Sequence, residues 1–190
     1  MSQAKKIADG KIRIPVRFNY LHLFSPDPFH KDKTKYTAVL IIDKNDTETV
    51  NLIKATIKEV HASASAGGLK FTLAAGNQPL KDGPTKFPDN PAFANSYYIN
   101  ASCSKPPQVL RKEKSGAYIQ LKEDEIKDGD YGLVILSIRP YAAQGNNGIS
   151  AYIDRVLFTR EGVALGGLSN EDAFGDAEPT EEKAPDDDIF

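Results

Sequence analysis

Residues 11–20, Lys-Ile-Arg-Ile-Pro-Val-Arg-Phe-Asn-Tyr, alternate apolar and polar with a period of two. That period predicts a half-buried strand, with Ile12, Ile14, Val16, Phe18 and Tyr20 on one face and Arg13, Arg17 and Asn19 on the other. Pro15 cannot donate to a ladder, so it marks an edge or a bulge. The pattern recurs along the chain. Residues 36–43 form a near-continuous apolar run bounded by polar residues, the signature of a strand buried on both faces. Further strands are predicted over 97–102, 117–121, 131–141 and 149–158, and Gly145-Asn146-Asn147-Gly148 reads as the hairpin turn between the last two. A single stretch changes period: Val50, Ile53, Ile57 and Val60 repeat at helical spacing. Asp46 or Thr47 can cap that helix, and Ala66-Gly67-Gly68 ends it.

About six strands with one sizeable helix point to a mainly β fold. An OB-type barrel with elaborated loops fits; a sandwich stays open, because strand count does not fix strand order. Residues 76–94, rich in Pro, Gly, Asn and Asp, are expected to form a long loop, and 105–115 a basic loop or hairpin arm. The predicted organisation is a flexible N-terminus over 1–10, one folded domain over 11–168, and an acidic tail over 169–190 whose lost periodicity argues disorder.

Charge and composition narrow the function. Nine acids against Lys183 place −8 on residues 171–190, which leaves 23 bases and 17 acids, or +6, on residues 1–170. A basic body with an acidic tail suits a partner of nucleic acid. The single cysteine, Cys103, excludes an intrachain disulfide and a multi-cysteine zinc site. With no apolar run of eighteen residues and no apolar segment behind the first lysines, the chain reads as a cytoplasmic protein with no membrane contact.

Enzymatic chemistry finds little support. His22, His30, His61 and Cys103 fall in different predicted elements without ligand spacing, and the chain has no nucleophile elbow, phosphate loop or dinucleotide fingerprint. One alternative is a metal-dependent nuclease in which Asp89 and Glu125 hold a divalent ion and Lys127 orients water. Those residues sit in a Pro-rich loop and a charged turn, so the reading without catalysis and without a cofactor is preferred. A purely protein-binding module is a further alternative.

What remains is cations interleaved with aromatic residues on strands. Arg13 and Arg17 share one strand face. Alternation sets Tyr98 opposite Tyr97, Ile99 and Ala101, making it the better candidate for an exposed ring. Tyr118 points away from its apolar neighbours, Arg139 and Tyr141 lie opposite Val134, Leu136 and Ile138, and Tyr152 lies opposite Ala151 and Ile153. Lys105, Arg111, Lys112 and Lys114 sit on the basic arm. Rings stack on bases and cations neutralise phosphates, so Arg13, Arg17, Tyr98, Lys105, Arg111, Lys112, Tyr118, Arg139, Tyr141 and Tyr152 form the expected site for single-stranded nucleic acid. At the tail, Asp186-Asp187-Asp188-Ile189-Phe190 puts three acids before an apolar tip, suited to docking in basic-rimmed pockets of partner proteins.

That tip resembles the C-terminal tip of bacterial single-stranded-DNA-binding proteins, without the proline they carry before the final phenylalanine. The body instead resembles a family of phage single-stranded-DNA-binding proteins with an OB fold. The matching stretches are Arg17-Phe18-Asn19-Tyr20-Leu21-His22-Leu23-Phe24, Lys35 to Ile42, Pro79-Leu80-Lys81-Asp82-Gly83, Tyr98-Ile99-Asn100-Ala101-Ser102, Pro107-Gln108-Val109, Gly145 to Ala151, and Leu165-Gly166-Gly167. They run in family order over roughly residues 12–170. The resemblance implies sequence-nonspecific binding of single-stranded DNA in phage replication, recombination and repair inside the infected bacterium. It implies no catalysis, and recruitment of replication or recombination proteins through the tail. Oligomeric state is left open, a homodimer being compatible with the sequence.

Overall fold

The computed structural model describes residues 3–165. The tail of 169–190, with Asp186, Asp187, Asp188, Ile189 and Phe190, lies outside the described residues.

Strand β1 (Lys5–Ala8) pairs with β2 (Lys11–His22), so four of the ten residues expected to be flexible belong to the sheet. The long alternating strand β2 runs antiparallel to β3 (Tyr36–Asp43). Helix α1 (Thr47–Ala66) follows. The Asp46 carboxylate accepts from the Thr49 amide at 3.1 Å, and Gly67 forms the C-cap. The helix buries Val50, Ile53, Ile57 and Val60 against the barrel, and its closest element contacts are with strands of the central sheet.

The expected loop of 76–94 is more structured than its composition suggests. It holds β4 (Leu80–Asp82), the short helix α2 (Gly83–Lys86), capped by Asp82, and a 3₁₀ turn over Pro91–Phe93, capped by Asn90. Then come β5 (Ser96–Cys103), β6 (Gln108–Lys112) and β7 (Tyr118–Gln120); β6 and β7 form the hairpin arm. The chain closes with β8 (Tyr131–Ala143) and β9 (Asn146–Arg160). Their turn is Gln144-Gly145, with φ of 48° and 82°, so Asn146 and Asn147 open β9 instead of forming the turn. Two consecutive left-handed residues match the twist of a two-residue hairpin.

Strand order decides between barrel and sandwich. The antiparallel path β5-β3-β2-β8-β9 is closed by a parallel pairing of β5 with β9, at Ala101 with Ala151 and Ser102 with Tyr152. The result is a five-stranded OB-type barrel. Its interior is filled by Ile12, Ile14, Val16, Phe18, Leu40, Ile99, Val134, Leu136 and Ile153. Closure removes the sheet edges that an open five-stranded sheet would leave bare. Pro15 pairs only with Leu133 of β8: β1 covers β2 up to Arg13, and β3 begins to cover it at Arg17. The missing proline donor therefore falls in the gap between two neighbours.

A second, smaller cluster lies outside the barrel. Ile41 and Tyr98 point away from the interior, and residues 83–93 fold over them, so that Phe93 and Phe87 pack on the Tyr98 ring at 6.0 and 5.3 Å between centroids. This overturns the expectation that Tyr98 is exposed. Alternation placed its side chain correctly on the outer face, but that face is covered, and Tyr98 is only 5% exposed. Burial pushes its phenol above the ordinary value. A similar correction applies to Tyr20 and Asn19. The register of β2 and β3 shifts between Asn19 and His22, and Tyr20 takes a φ of 49°. The irregularity turns Asn19 inward and Tyr20 out, where Tyr20 is 51% exposed.

Candidate nucleic-acid interface

A groove of about 970 Å³ runs across the outside of β3, β5 and the far ends of β8 and β9. Its floor is the outward-facing set Val39, Asn100, Ser102, Ser150 and Tyr152, held side by side by the parallel closure of the barrel.

One wall is the segment between β2 and β3. Asp27 organises it. The carboxylate accepts from Thr37 Oγ1 at 2.7 Å and from the Phe29 amide at 2.8 Å, and stands 3.7 Å from His22 Nε2. Burial pushes this carboxyl up, but the hydrogen bonds from Thr37 and the Phe29 amide, with the neighbouring His22, outweigh it and hold Asp27 below the ordinary carboxylate range. Pinned in this way, the turn presents Phe29 at 88% exposure, edge-on to His22 at 6.4 Å. An aromatic ring this bare is costly unless something covers it. Lys31 and Lys35 flank it, with Lys35 Nζ donating to Ser104 Oγ at 2.6 Å just beyond the Tyr36–Cys103 pair.

The opposite wall is residues 76–81. The Asn77 carbonyl accepts from the Ile149 amide at 2.8 Å, and its side chain bonds Ala74 and Thr72, which ties the wall to β9. Gly148 makes room for the adjoining ring: a Cβ there would lie 2.6 Å from the Tyr141 hydroxyl and 2.6 Å from the Asn77 carbonyl. Tyr141 and Tyr152 thus line the groove together, and the Arg139 guanidinium sits 6.0 Å from the Tyr152 ring centre.

Of the residues expected from sequence, Arg139, Tyr141 and Tyr152 come together here. Lys105 is exposed just beyond β5. Arg111, Lys112 and Tyr118 lie apart on the β6–β7 arm. There Lys112 Nζ stands 5.6 Å over the exposed Tyr118 ring, and Arg111 is 3.7 Å from Glu125. Arg13 and Arg17 are on the outer face of β2, away from the groove. Arg13 Nε donates to the Gln3 carbonyl; Arg17 donates to the carbonyls of Gly129 and Val163 and stands 5.4 Å from the Tyr131 ring. The groove also holds Tyr20, Phe29, Lys31, Lys35 and Lys81, which alternation did not single out. The available signal was an aromatic residue at the tip of Ser25-Pro26-Asp27-Pro28, where no periodicity offers it a core.

The residues of the nuclease alternative do not assemble. Glu125 accepts from the Lys122 amide and faces Arg111, while Lys127 Nζ is 3.3 Å from Asp130. Among the described residues no three His, Cys, Asp or Glu side chains form a group that could hold a metal. Burial, the largest influence, pushes the Cys103 thiol up to about 11, so it is protonated at neutral pH and is no nucleophile.

A family model described as the single-stranded-DNA-binding protein of Enterobacter phage Enc34 matches residues 6–188. The chain belongs to that family. It is a family of binding proteins, and the nuclease reading falls with it. Putative protein p50 of Acyrthosiphon pisum secondary endosymbiont phage 1 is 29% identical over 177 residues, covering 88% of this chain and 94% of that protein. The single-stranded DNA-binding protein of bacteriophage Enc34, solved in complex with single-stranded DNA, superposes with a TM-score of 0.72 at 24% identity, over 87% of this chain and 98% of that one. Gp2.5, a single-stranded DNA-binding protein encoded by bacteriophage T7, superposes with a TM-score of 0.55 at 16% identity, over 93% and 100% of the two chains. These likenesses agree with the barrel described above. No helix among the described residues is long and apolar enough to cross a membrane.

Proposed function

We propose that the chain coats single-stranded DNA without sequence preference by laying it in the groove, in support of phage DNA replication, recombination and repair in the host cytoplasm. One observation carries this reading: Tyr20, Phe29, Tyr141 and Tyr152 line the same groove as Lys31, Lys35 and Lys81, with Arg139 at its end. Rings accept any base by stacking, and the cations neutralise the backbone, so affinity needs no base-edge contacts. Lys105 and the Arg111, Lys112 and Tyr118 arm supply outlying contacts, as do Arg13 and Arg17.

Oligothymidine titrated in magnesium is expected to bind stoichiometrically and remain uncut. With four groove cations engaged, the logarithm of affinity should fall by about 3 per log unit of salt, at roughly 0.7 for each phosphate neutralised. A flat salt profile, or cleavage, sinks the reading.

The acidic tail acts on the same equilibrium. Its −8 charge, tethered to a +6 body, competes with phosphate for the cations. Single strands also stack and so displace it; duplex offers charge alone. Removing 171–190 is expected to raise affinity for both, with the larger gain for duplex, measured by filter binding. Equal affinities before and after the deletion would leave the tail only its second role, docking of replication or recombination proteins through Asp186, Asp187, Asp188, Ile189 and Phe190. Deleting Ile189 and Phe190 alone keeps the charge, so DNA binding should persist while docking is lost.

A further inference from the structure

The outer face of β2, β8 and β9 carries a second feature. On β2, the outward residues are Lys11, Arg13, Pro15 and Arg17. Across the ladder on β8 these meet Ser137, Ile135, Leu133 and Tyr131, and on β9 Tyr152, Arg155, Leu157 and Arg160. Two of the four rungs therefore have an arginine at each end: Arg13 and Arg155 flank Ile135, and Arg17 and Arg160 flank Tyr131. The two rungs are four β2 residues apart, or about 13 Å along the strand.

None of these four arginines has a carboxylate partner among the described residues, whereas Lys11 on the same face is paired with Asp154 at 2.7 Å. The Arg155 and Arg160 side chains make no hydrogen bond or ion pair there, and both residues are exposed. Arg160 is instead stacked on Tyr131, its guanidinium carbon 3.4 Å from the ring centre. Stacking fixes the plane of a guanidinium and leaves its N–H edge free, the geometry that receives a phosphate in two parallel hydrogen bonds. The acids near this end are Asp43 and Asp46, occupied by the Asn45 amide and by the cap of α1, with Asp89 and Glu161 at the rim.

The face is continuous with the groove. Tyr152, part of the groove floor, occupies the rung of Lys11 and Ser137, and Arg155 follows three residues along β9.

We infer that a single strand longer than the groove continues along this face, with phosphates held between the Arg13–Arg155 and Arg17–Arg160 pairs. This rests on the groove being the primary site. The track adds charge without exposed rings, so it extends the footprint and the salt dependence without adding base stacking.

The test compares the full chain with R155Q/R160Q on oligothymidines of about 6 and about 16 nucleotides, a range that spans OB-fold site sizes. These two arginines are chosen because neither side chain makes a hydrogen bond or ion pair among the described residues, Arg160 being held only by its stacking on Tyr131; an unchanged melting temperature verifies that the fold tolerates both changes. The variant is expected to bind the short oligomer as the parent does. It should bind the long one about tenfold more weakly, with a salt slope lower by about 1.4, two phosphates at roughly 0.7 each. Equal affinity and slope for the long oligomer overturn the inference. So does tighter binding by the variant, which would mean that the arginines hold the acidic tail instead. A parallel F29A/Y152A variant reports on the groove: if it leaves short-oligomer binding intact, the groove reading fails, whatever the arginines do.

Discussion

Replacing Phe29 and Tyr152 together by alanine is expected to weaken oligothymidine binding by about 2–6 kcal/mol, at about 1–3 kcal/mol for each base that loses its stacking partner. The two rings come from different parts of the chain and reach the groove for different reasons. Phe29 is pushed into solvent by a turn that Asp27 holds in place, so removing it takes nothing from the core. Tyr152 is half-buried and is set in the floor by its parallel pairing with Ser102. The single substitution F29A should therefore lower affinity with no change in melting temperature, while Y152A lowers both slightly. Fluorescence anisotropy beside a thermal melt separates these effects. If the double variant binds normally, the aromatic lining is not the stacking surface. If it binds poorly only because it has unfolded, the melt shows that.

Phe93→Ala is expected to destabilise the fold by about 3–5 kcal/mol, the usual cost of emptying a fully buried aromatic site. Phe93 is completely buried, 4.2 Å from Phe87 and 6.0 Å from Tyr98, and these rings seal the outer face of β3 and β5. For a chain of this size the loss corresponds to a fall in melting temperature of roughly 10 °C. Tyr98→Ala should behave in the same way, and any weakening of DNA binding should follow the loss of fold. Tyr98→Phe keeps the packing and should be nearly neutral. Weakened binding by Tyr98→Phe at unchanged melting temperature would contradict the assignment of Tyr98 to packing.

The error at Tyr98 shows what a sequence pattern can carry. Alternation reports which face of a strand a side chain takes, and it did so correctly for Tyr98, Tyr118, Arg139 and Tyr152. It is silent on what covers that face. The cover here is residues 83–93, whose prolines, glycine and asparagine read as loop although Asp82 and Asn90 cap two helical turns that carry Phe87 and Phe93 inward. Tyr20 failed for a related reason: a register shift in β2 breaks the period of two, and nothing in Phe18-Asn19-Tyr20 announces it. Strand positions and the helix were legible because each rests on local periodicity. The OB-type barrel was reached through strand count and the resemblance; periodicity alone left a sandwich open, since the closing pair of Ala101 with Ala151 joins residues fifty apart and leaves no local trace. Lys31 and Lys35 were missed because they stand on a loop, where spacing carries no orientation, and Lys81 because its three-residue strand lies inside a stretch that reads as loop; only the folded walls bring the three beside the tyrosines.

Ultraviolet crosslinking of oligothymidine to the full chain, followed by mapping of the modified peptides, tests the central claim most directly. The groove account predicts adducts on Phe29, Tyr141 and Tyr152, suppressed by unlabelled single strands and retained when the tail is removed. Adducts confined to Tyr118 on the β6–β7 arm, with none in the groove, would contradict it.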